Sequence, residues 1–198
     1  MMYFCLNRMT EKHPFDPFLP ENAHILFLGS FPPQPHRWCM PFYYPNWIND
    51  FWRIMGLIHF ADKDHFCIPA DKRFDETAIR SFCTEQGLAF YDTACEIRRL
   101  KDNASDAFLE IVTPTDISRL LSRIPSCKTL VTTGQKATEV ISQTFGCPIP
   151  SIGESIDLGI SNSSICFYRM PSTSRAYPMP LQQKAEIYRR LFPTESSR

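Results

Sequence analysis

The segment "LFLGSFPPQPHRWCMPFYYPNWINDFWRIMG" (26–56) contains an aromatic, proline-rich run that begins directly after a strand-like apolar stretch. Aromatic rings can stack on a planar ligand, and prolines hold a loop in place at small entropic cost in the folded state. The amides of Asn46 and Asn49 can orient a water molecule or hold a carbonyl group. His36 is a candidate general acid. These residue types suit a pocket for a planar ligand, and the alternative interpretation is a loop that only caps the core.

A second set of polar residues lies near the carboxyl terminus, in "MPSTSRAYP" (170–178). Ser172, Thr173 and Ser174 can donate hydroxyl or backbone N–H hydrogen bonds to an anion. An ST-turn that caps the last helix is the alternative interpretation. The sequence contains no Ser-His-Asp order, P-loop or G-x-G-x-x-G motif, which argues against acyl chemistry and nucleotide cofactors.

Composition limits the class of protein. A chain of 198 residues suits one domain, 1–198, with residues 1–20 as an N-terminal extension. Lys plus Arg equals Asp plus Glu at 21 each, so any nucleic-acid site must be local. The eight cysteines are scattered without a C-x-x-C pair, which favours buried thiols in a reducing compartment over a metal site. We therefore expect a cytoplasmic protein without metal, cofactor or membrane partner.

Apolar periodicity predicts alternating strands and helices. Strands are predicted at 24–30, 88–93, 128–134 and 164–174, the last of which breaks at Pro171. Helices are predicted at 49–60, 74–86, 116–124, 135–145 and 180–192. This order predicts an α/β fold, a three-layer α/β/α sandwich with a central, mainly parallel four-stranded sheet.

Ligands of such sheets bind outside the carboxyl ends of the strands. Four segments follow the predicted strands: "GSFPPQPHRW", "DTACEIRR", "TTGQKA" and "MPSTSRAYP". We expect these four loops to converge on one edge of the sheet and to form the site there.

Several motifs resemble those of a known family when they are read in order. "LGSFPP", "FYYPNWINDFW", "YDTACEIRR", "LVTTG" and "MPSTSRAYP" span about residues 24–192. They resemble the uracil-DNA glycosylase superfamily, above all its branch of hypoxanthine- and uracil-type DNA glycosylases with a G-S-x-P first motif. The resemblance implies a monofunctional enzyme of base-excision repair that flips a deaminated base, uracil or hypoxanthine, out of DNA and hydrolyses its N-glycosidic bond. The expected partner is DNA with a damaged base, and the expected state is a monomer.

The resemblance also assigns roles to residues. Asn49 matches the asparagine of the family's N-x-F-W segment and is the expected catalytic residue together with Ser172, although Asn49 is equally a candidate N-cap for a helix that begins near Asp50. The expected substrate-binding residues are Gly29, Ser30, Phe31, Pro32, Tyr43, Asn46, Thr133 and Ser174. The expected DNA-binding residues are Arg37, Arg98, Arg175 and Tyr177.

Three positions depart from the family pattern. Gly29 is followed by Ser30, so the first motif lacks the water-activating aspartate of the best-known uracil enzymes. Thr133 stands where related enzymes often carry an asparagine that reads the base, and the "PSTS" loop lacks the histidine of the "HPSP"-type motif. Two alternatives therefore stay open: a catalytically weak nucleic-acid-binding module on the same fold, and a small-molecule hydrolase or binding protein, which the zero net charge suggests.

Overall fold

A computed structural model describes residues 9–100, 108–160 and 163–192. Within these ranges the strands are β1 (Glu11–Lys12), β2 (Ile25–Gly29), β3 (Cys67–Ile68), β4 (Arg73–Phe74), β5 (Leu88–Asp92), β6 (Ala94–Arg99), β7 (Leu109–Pro114), β8 (Thr129–Thr133), β9 (Ser155–Ile160) and β10 (Ser163–Met170). The α-helices of the same ranges are α1 (Phe51–Phe60), α2 (Glu76–Glu85), α3 (Ile117–Ser122), α4 (Gln135–Phe145) and α5 (Leu181–Arg189).

The central sheet has the strand order β5-β2-β8-β10-β9. The first four strands run parallel, and β9 pairs antiparallel to β10 at the edge. The predicted α/β class is confirmed, but the predicted four-stranded sheet is wrong because β9 adds a fifth strand. β9 is a half-buried edge strand in which Ser155, Asp157 and Gly159 are exposed, so it lacks the continuous apolar run that marks the other strands.

The chain passes from β2 to β5 on one side and then crosses to β8 and β10 on the other. The direction of winding therefore changes between β2 and β8, which makes their carboxyl ends the switch point of the sheet. Right-handed connections in such a sheet place α1 and α2 on one face and α3 and α4 on the other. α5 packs against α1. This winding is the physical basis of the predicted three layers.

A smaller antiparallel sheet, in the order β1-β6-β7, lies beside the end of β5. The prediction that "DTACEIRR" forms a loop is wrong for Ala94–Arg99, which is strand β6. This strand is stabilised by β7 and by residues Glu11 and Lys12 of β1. Since Phe18 also forms a bridge with Phe90, the described part of the predicted N-terminal extension lies along the two sheets.

Much of the aromatic run forms core. Phe42, Phe51 and Trp52 are at most 2% exposed, and Tyr43 is 3% exposed. Phe27 of β2 stacks on Phe90 of β5 at 5.4 Å between ring centroids. Aromatic packing of this kind stabilises both by burial and by ring geometry. Some residues of the run therefore fill the core, and others form the loops at the carboxyl ends of the strands.

Helix ends follow local capping rules. The Asp75 and Asp116 side chains accept hydrogen bonds from the backbone N–H groups of Ala78 and Arg119, each at 3.0 Å, at the starts of α2 and α3. In the described ranges no helix has the length and apolar character needed to cross a membrane. Nor do these ranges contain three His, Cys, Asp or Glu side chains grouped to hold a metal ion.

Candidate functional site

A cavity of about 160 Å³ opens at the carboxyl ends of three neighbouring strands. Gly29, Asp92 and Thr133, the last residues of β2, β5 and β8, line it. This position is the switch point of the sheet, where doubly wound α/β proteins bind their ligands. The cavity is smaller than the roughly 300–1,000 Å³ of sites for drug-sized molecules, so it suits one small group.

The sequence assigned ten residues to catalysis or substrate binding, and all of them line this cavity. They are Gly29, Ser30, Phe31, Pro32, Tyr43, Asn46, Asn49, Thr133, Ser172 and Ser174. They come from four separate segments of the chain that the parallel sheet brings to one edge. Their individual roles stay predictions.

At its closed end the cavity is built from a glycine, a carboxylate and two hydroxyl groups. A Cβ atom at Gly29 would lie 2.5 Å from Oδ1 of Asp92, so only glycine allows this close approach. The Tyr44 hydroxyl and Thr133 Oγ1 share a hydrogen bond of 2.9 Å. The Tyr44 ring stacks on Phe51 at 3.9 Å, which fixes its position. Hydrogen-bonding groups and aromatic rings therefore lie together in the lining of the cavity.

Asp92 and His13 form a buried pair that the sequence analysis missed. Nε2 of His13 lies 2.9 Å from Oδ2 of Asp92, in the geometry of a ring N–H that donates to a carboxylate. The two side chains are 3% and 10% exposed. Nδ1 of His13 lies 2.8 Å from the Phe15 carbonyl oxygen. The partners are 79 positions apart, so only the polar end of the strand "LAFYD" could have indicated Asp92.

Phe31 has two neighbourhoods. It lines the cavity, with its ring 5.2 Å from the His13 ring in an edge arrangement. It also packs against a small apolar cluster of Ala94, Ile97 and Leu109. Phe31 is therefore both a wall of the cavity and a link between the first loop and the smaller sheet.

Tyr43 lines the cavity, and residues outside the cavity fix the position of its side chain. Its hydroxyl donates to the Asp16 carbonyl oxygen at 2.9 Å, and its ring lies nearly parallel to Phe90 at 5.8 Å. Burial, with the Asp92 charge as a second cause, raises the pKa of Tyr43 well above its ordinary value. The phenol thus stays neutral and structural at any physiological pH.

Arg99 also lines the cavity, although the sequence analysis did not place it in the substrate-binding set. Its Nε donates to both carboxylate oxygens of Glu11, at 3.0 and 2.9 Å, and its Nη2 donates to the Pro32 carbonyl oxygen at 2.7 Å. The guanidinium carbon lies 5.6 Å from the centre of the Phe31 ring. Arg99 therefore ties the first loop to β1 and β6.

At the open end of the cavity, Asn46 and Asn49 both form local turns. Oδ1 of Asn46 accepts from the Ile48 N–H at 3.1 Å, and Oδ1 of Asn49 accepts from the Phe51 N–H at 2.9 Å. The latter bond satisfies the N–H of the first residue of α1, as a capping side chain does, although the N-cap position itself is Asp50. Because the oxygen faces the backbone, the Asn49 Nδ2 group is the end of the amide that can donate to a ligand.

Ser172 and Ser174 line the same cavity as these asparagines. Ser172 Oγ accepts from the Ser174 N–H, and Ser174 Oγ accepts from the Ala176 N–H, both at 3.2 Å. The ST-turn geometry of the alternative interpretation is therefore present. An accepting hydroxyl still has its own hydrogen to donate, so this geometry is compatible with a contact from Ser172 to a ligand.

A buried ion pair connects the two sides of the opening. Nζ of Lys184, a residue with no exposed surface, lies 2.9 Å from Oδ2 of Asp50 and donates to the Ser174 carbonyl oxygen at 2.8 Å. The Asp50 N–H donates to the Thr173 carbonyl oxygen at 2.9 Å. The start of α1, the serine loop and α5 are thereby held in one arrangement.

A groove of about 910 Å³ continues from the open end of the cavity. Asn46, Asn49, Ser172 and Ser174 line both spaces. The groove also contacts Arg37, Lys136, Arg169, Arg175 and Tyr177, together with the acidic Glu139. Three of the four expected DNA-binding residues thus line one surface next to the cavity.

The fourth, Arg98, is not among the residues that line the groove. It lies on β6 instead of the expected loop, and its Nη1 is 2.9 Å from Oε2 of Glu110 on β7. The expectation that Arg98 lies on a loop is wrong, because Ala94–Arg99 pairs with neighbouring strands. His36, the candidate general acid, is exposed and lines neither space.

Comparison with solved structures finds the same fold. The chain is similar to a protein from Methanosarcina acetivorans whose solution NMR structure is that of a "putative Uracil DNA glycosylase". The TM-score is 0.58 at 21% sequence identity, and the match covers 92% of this chain and 99% of that chain. No protein-family model matches the sequence, and no curated protein matches it.

Proposed function

We propose that the protein is a monofunctional DNA glycosylase of base-excision repair. It hydrolyses the N-glycosidic bond of a deaminated base, uracil or hypoxanthine, that has been flipped out of DNA. One observation carries the proposal: the ten predicted site residues line a single small cavity that opens into a basic groove. The similarity to the Methanosarcina acetivorans fold supports the same activity.

In the proposed reaction the C1′–N bond breaks and its electron pair leaves with the base. Water then adds to C1′ and loses a proton, and the anionic base takes up a proton through the solvent, so the products are the neutral free base and an abasic sugar. Nδ2 of Asn49 holds the base carbonyl or the attacking water at the open end of the cavity. The Ser172 hydroxyl donates to the charge that develops on the leaving base.

The walls and the groove have separate tasks. Phe31 and the two tyrosines, Tyr43 and Tyr44, border the flat slot that takes the base. Arg37 and Arg175 bind phosphates of the flanking strand, and Tyr177 lies in the groove beside them. One copy of the chain supplies all of these residues, and we propose that the protein acts as a single-domain monomer.

The thiols support a cytoplasmic place of action. Seven cysteines lie in the described ranges, and all of them are free. Burial raises the pKa of Cys127 to about 11, which keeps this thiol protonated and unreactive. These unpaired thiols, of which Cys83 and Cys127 are buried, support the cytoplasm, a reducing compartment, as the place of action.

A second candidate function has its own supporting observation. Where the cavity meets the groove, the four shared residues carry amides and hydroxyls, and none of these groups is a strong base. A chain that binds and flips a damaged nucleotide without efficient hydrolysis fits the same surface. A small-molecule hydrolase fits less well, because the adjoining groove has four basic side chains.

Strand cleavage after alkali separates these functions. Duplex oligonucleotides with one uracil, hypoxanthine or xanthine are incubated with the protein in single-turnover conditions and then treated with alkali. The glycosylase proposal expects cleavage at the deaminated base and no cleavage of the unmodified duplex. Intact strands together with DNA binding that falls steeply with salt would favour the binding module. Intact strands without DNA binding would refute both nucleic-acid functions.

A further inference from the structure

Arg53 is a buried cation that lines neither the cavity nor the groove. It lies in the first turn of α1 and is 7% exposed. Its guanidinium forms no salt bridge with a carboxylate of the described ranges. A cation is disfavoured in the first turn of a helix, where the macrodipole is positive, and a buried charge is costly without polar partners. The stability of α1 therefore does not explain an arginine at this position.

The guanidinium of Arg53 binds two backbone carbonyl groups of the segment before α1. Its Nη1 donates to the Trp47 carbonyl oxygen at 2.7 Å and to the Asn49 carbonyl oxygen at 3.1 Å. The guanidinium carbon lies 4.5 Å from the centre of the Trp47 ring and 5.2 Å from the centre of the Phe74 ring. These cation–π contacts hold the planar group in place, so the donor to both carbonyl groups has a fixed position.

The segment that Arg53 binds is a turn from Asn46 to Asn49. The Asn49 N–H donates to the Asn46 carbonyl oxygen at 2.8 Å, which closes the turn. Asn46 and Asn49 line both the cavity and the groove, and the exposed Ile48 lines the groove. The turn therefore lies where the cavity opens into the groove, which is the place of the scissile bond in the proposed reaction.

Three of the four polar groups of Asn49 have partners inside the protein. Its N–H donates to Asn46, its carbonyl oxygen accepts from Arg53, and its Oδ1 accepts from the Phe51 N–H. Nδ2 is the fourth group, and it belongs to a residue that lines the cavity. An amide that is fixed at its backbone and at its oxygen needs little reorganisation when a ligand binds, and such preorganisation raises the rate of the chemical step.

We propose that Arg53 is a positioning residue for the Asn49 amide. By holding the carbonyl groups of Trp47 and Asn49, it fixes the backbone that directs Nδ2 at the cavity. Arg53 lines neither space, so it acts on the rate of excision and leaves the affinity for DNA nearly unchanged. This inference rests on the proposed function and adds to it a residue that touches neither the base nor the DNA strand.

Arg53→Met tests this role, because methionine keeps much of the apolar stem and removes the guanidinium donors. We expect the single-turnover rate of excision to fall at least about tenfold. A duplex with a 2′-fluoro nucleotide at the deaminated base resists hydrolysis, and its dissociation constant should stay within about threefold of the wild-type value. Rates are compared at a temperature at which circular dichroism shows each protein to be folded. A wild-type rate in Arg53→Met would overturn the inference, and so would a loss of affinity as large as the loss of rate.

Arg80→Met is the matched control. The Arg80 guanidinium carbon also lies over an aromatic ring, 4.2 Å from the centre of Phe42, but its Nε donates to Glu76 and not to the turn. We expect Arg80→Met to lower the midpoint of thermal unfolding and to keep the rate of excision. An equal loss of rate in the two methionine variants would overturn the inference, because general loss of packing would then be the cause.

Arg53→Lys tests rescue by another donor. An ammonium group can donate to a carbonyl oxygen but lacks the rigid fork and the plane of a guanidinium. We therefore expect this variant to recover part of the rate that Arg53→Met loses. A lysine variant no faster than the methionine variant would contradict the role of the donor.

A double-mutant cycle with Asn49→Ala distinguishes positioning from a general effect on the fold. If Arg53 acts through the Asn49 amide, Arg53→Met should change excision by less than about twofold in a protein that already lacks this amide. An equal factor in both backgrounds would overturn the inference. Failure of the proposed function gives a different result, because a wild type that excises no base refutes both proposals. Excision that depends on Asn49 and not on Arg53 refutes this inference alone.

Discussion

The two ends of the Asn49 amide explain how one residue can cap a helix and contact a ligand. Its oxygen accepts from the Phe51 N–H, and its nitrogen is the end that remains for the cavity. The sequence presented capping and catalysis as alternatives, because a side chain that caps a helix is occupied. An amide has a donor and an acceptor, so both roles are compatible at this position.

Variants at Asn49 separate the two roles. Asn49→Ala should lower the unfolding free energy by about 1 kcal/mol through loss of the cap. The same variant should lower single-turnover excision at least about tenfold, which equals about 1.4 kcal/mol of transition-state stabilisation. Asn49→Asp should keep the stability, since Asp caps as well as Asn, and should still lower excision because the N–H donor is lost.

Denaturant unfolding and single-turnover rates on hypoxanthine or uracil DNA check these expectations. Asn22→Ala is a suitable control, since Asn22 is an exposed amide outside the cavity and the groove. Unchanged excision by Asn49→Ala would exclude Asn49 from the mechanism and transfer its role to Asn46.

His59 gives a prediction about pH and stability. Its ring packs edge-on against Phe82 and Phe192, at 4.9 and 4.6 Å, and its buried Nε2 has no hydrogen-bond partner in the described ranges. Burial, with a smaller effect of Arg189, lowers the pKa of His59 below its ordinary 6.5. Below about pH 6.5 the unfolded chain therefore binds a proton that the folded chain resists, and stability falls as pH falls.

His59→Phe should remove this part of the pH dependence. Midpoints of thermal unfolding at about pH 7 and about pH 5 measure it, because the histidine charge changes in this range. We expect a smaller difference between the two midpoints in the variant than in the wild type. His36→Gln, a change at an exposed histidine, should behave like the wild type, and an equal pH dependence in all three proteins would argue against the effect of His59.

Among the secondary-structure elements, those with continuous apolar sequence were predictable and the others were not. β2, β5 and β8 end within about one residue of their predicted limits, because "ILFL", "LAFY" and "LVTT" are buried on both faces. β6 was missed because "CEIRR" is only partly buried, without a regular pattern, and is stabilised by partners distant in sequence. The cavity was predictable through its loops, whereas the pair of His13 and Asp92 depends on a contact that only the folded chain creates.

The ion pair between α5 and the start of α1 gives a prediction about elements. Lys184→Met leaves the nearly buried Asp50 without its closest cation, although Arg175 Nη2 lies 3.4 Å from the other carboxylate oxygen. Removing one partner of a buried pair costs about 3–5 kcal/mol. We expect a loss in this range by urea denaturation, with excision lowered because the Ser174 loop loses its anchor.

The double variant Lys184→Met with Asp50→Asn is the informative companion. It leaves no buried charge, so it should recover part of the lost stability. A Lys184→Met protein as stable as the wild type would show that the pair does not hold these elements together.

The formal net charge of the whole chain is zero, but the charged side chains are unevenly distributed over its surface. The groove carries Arg37, Lys136, Arg169 and Arg175 against one acidic residue, Glu139. Local positive charge of this kind is sufficient to bind phosphates, because the interaction decays within a Debye length of about 8–10 Å at ordinary salt. DNA binding therefore does not require a basic protein.

Salt dependence tests this assignment. Each phosphate contact contributes a slope of about −0.9 in a plot of log K against log salt for duplex DNA. The double variant Arg37→Ala with Arg175→Ala should reduce the magnitude of the slope by about 1 to 2. Arg98→Ala, on β6 and outside the groove, should leave the slope unchanged, and the opposite pattern would place the DNA on the face of the smaller sheet.

The most direct measurement of the central claim is the identity of the reaction products. A duplex with a single hypoxanthine or uracil is incubated with the wild type and is not treated with alkali. The masses of the strand and of the released small molecule are then measured by mass spectrometry. We expect free hypoxanthine or free uracil and an unbroken strand with one abasic site, with both products strongly reduced in Asn49→Ala at equal DNA binding. A full-length strand that keeps its base, although the DNA is bound, would contradict the proposed function.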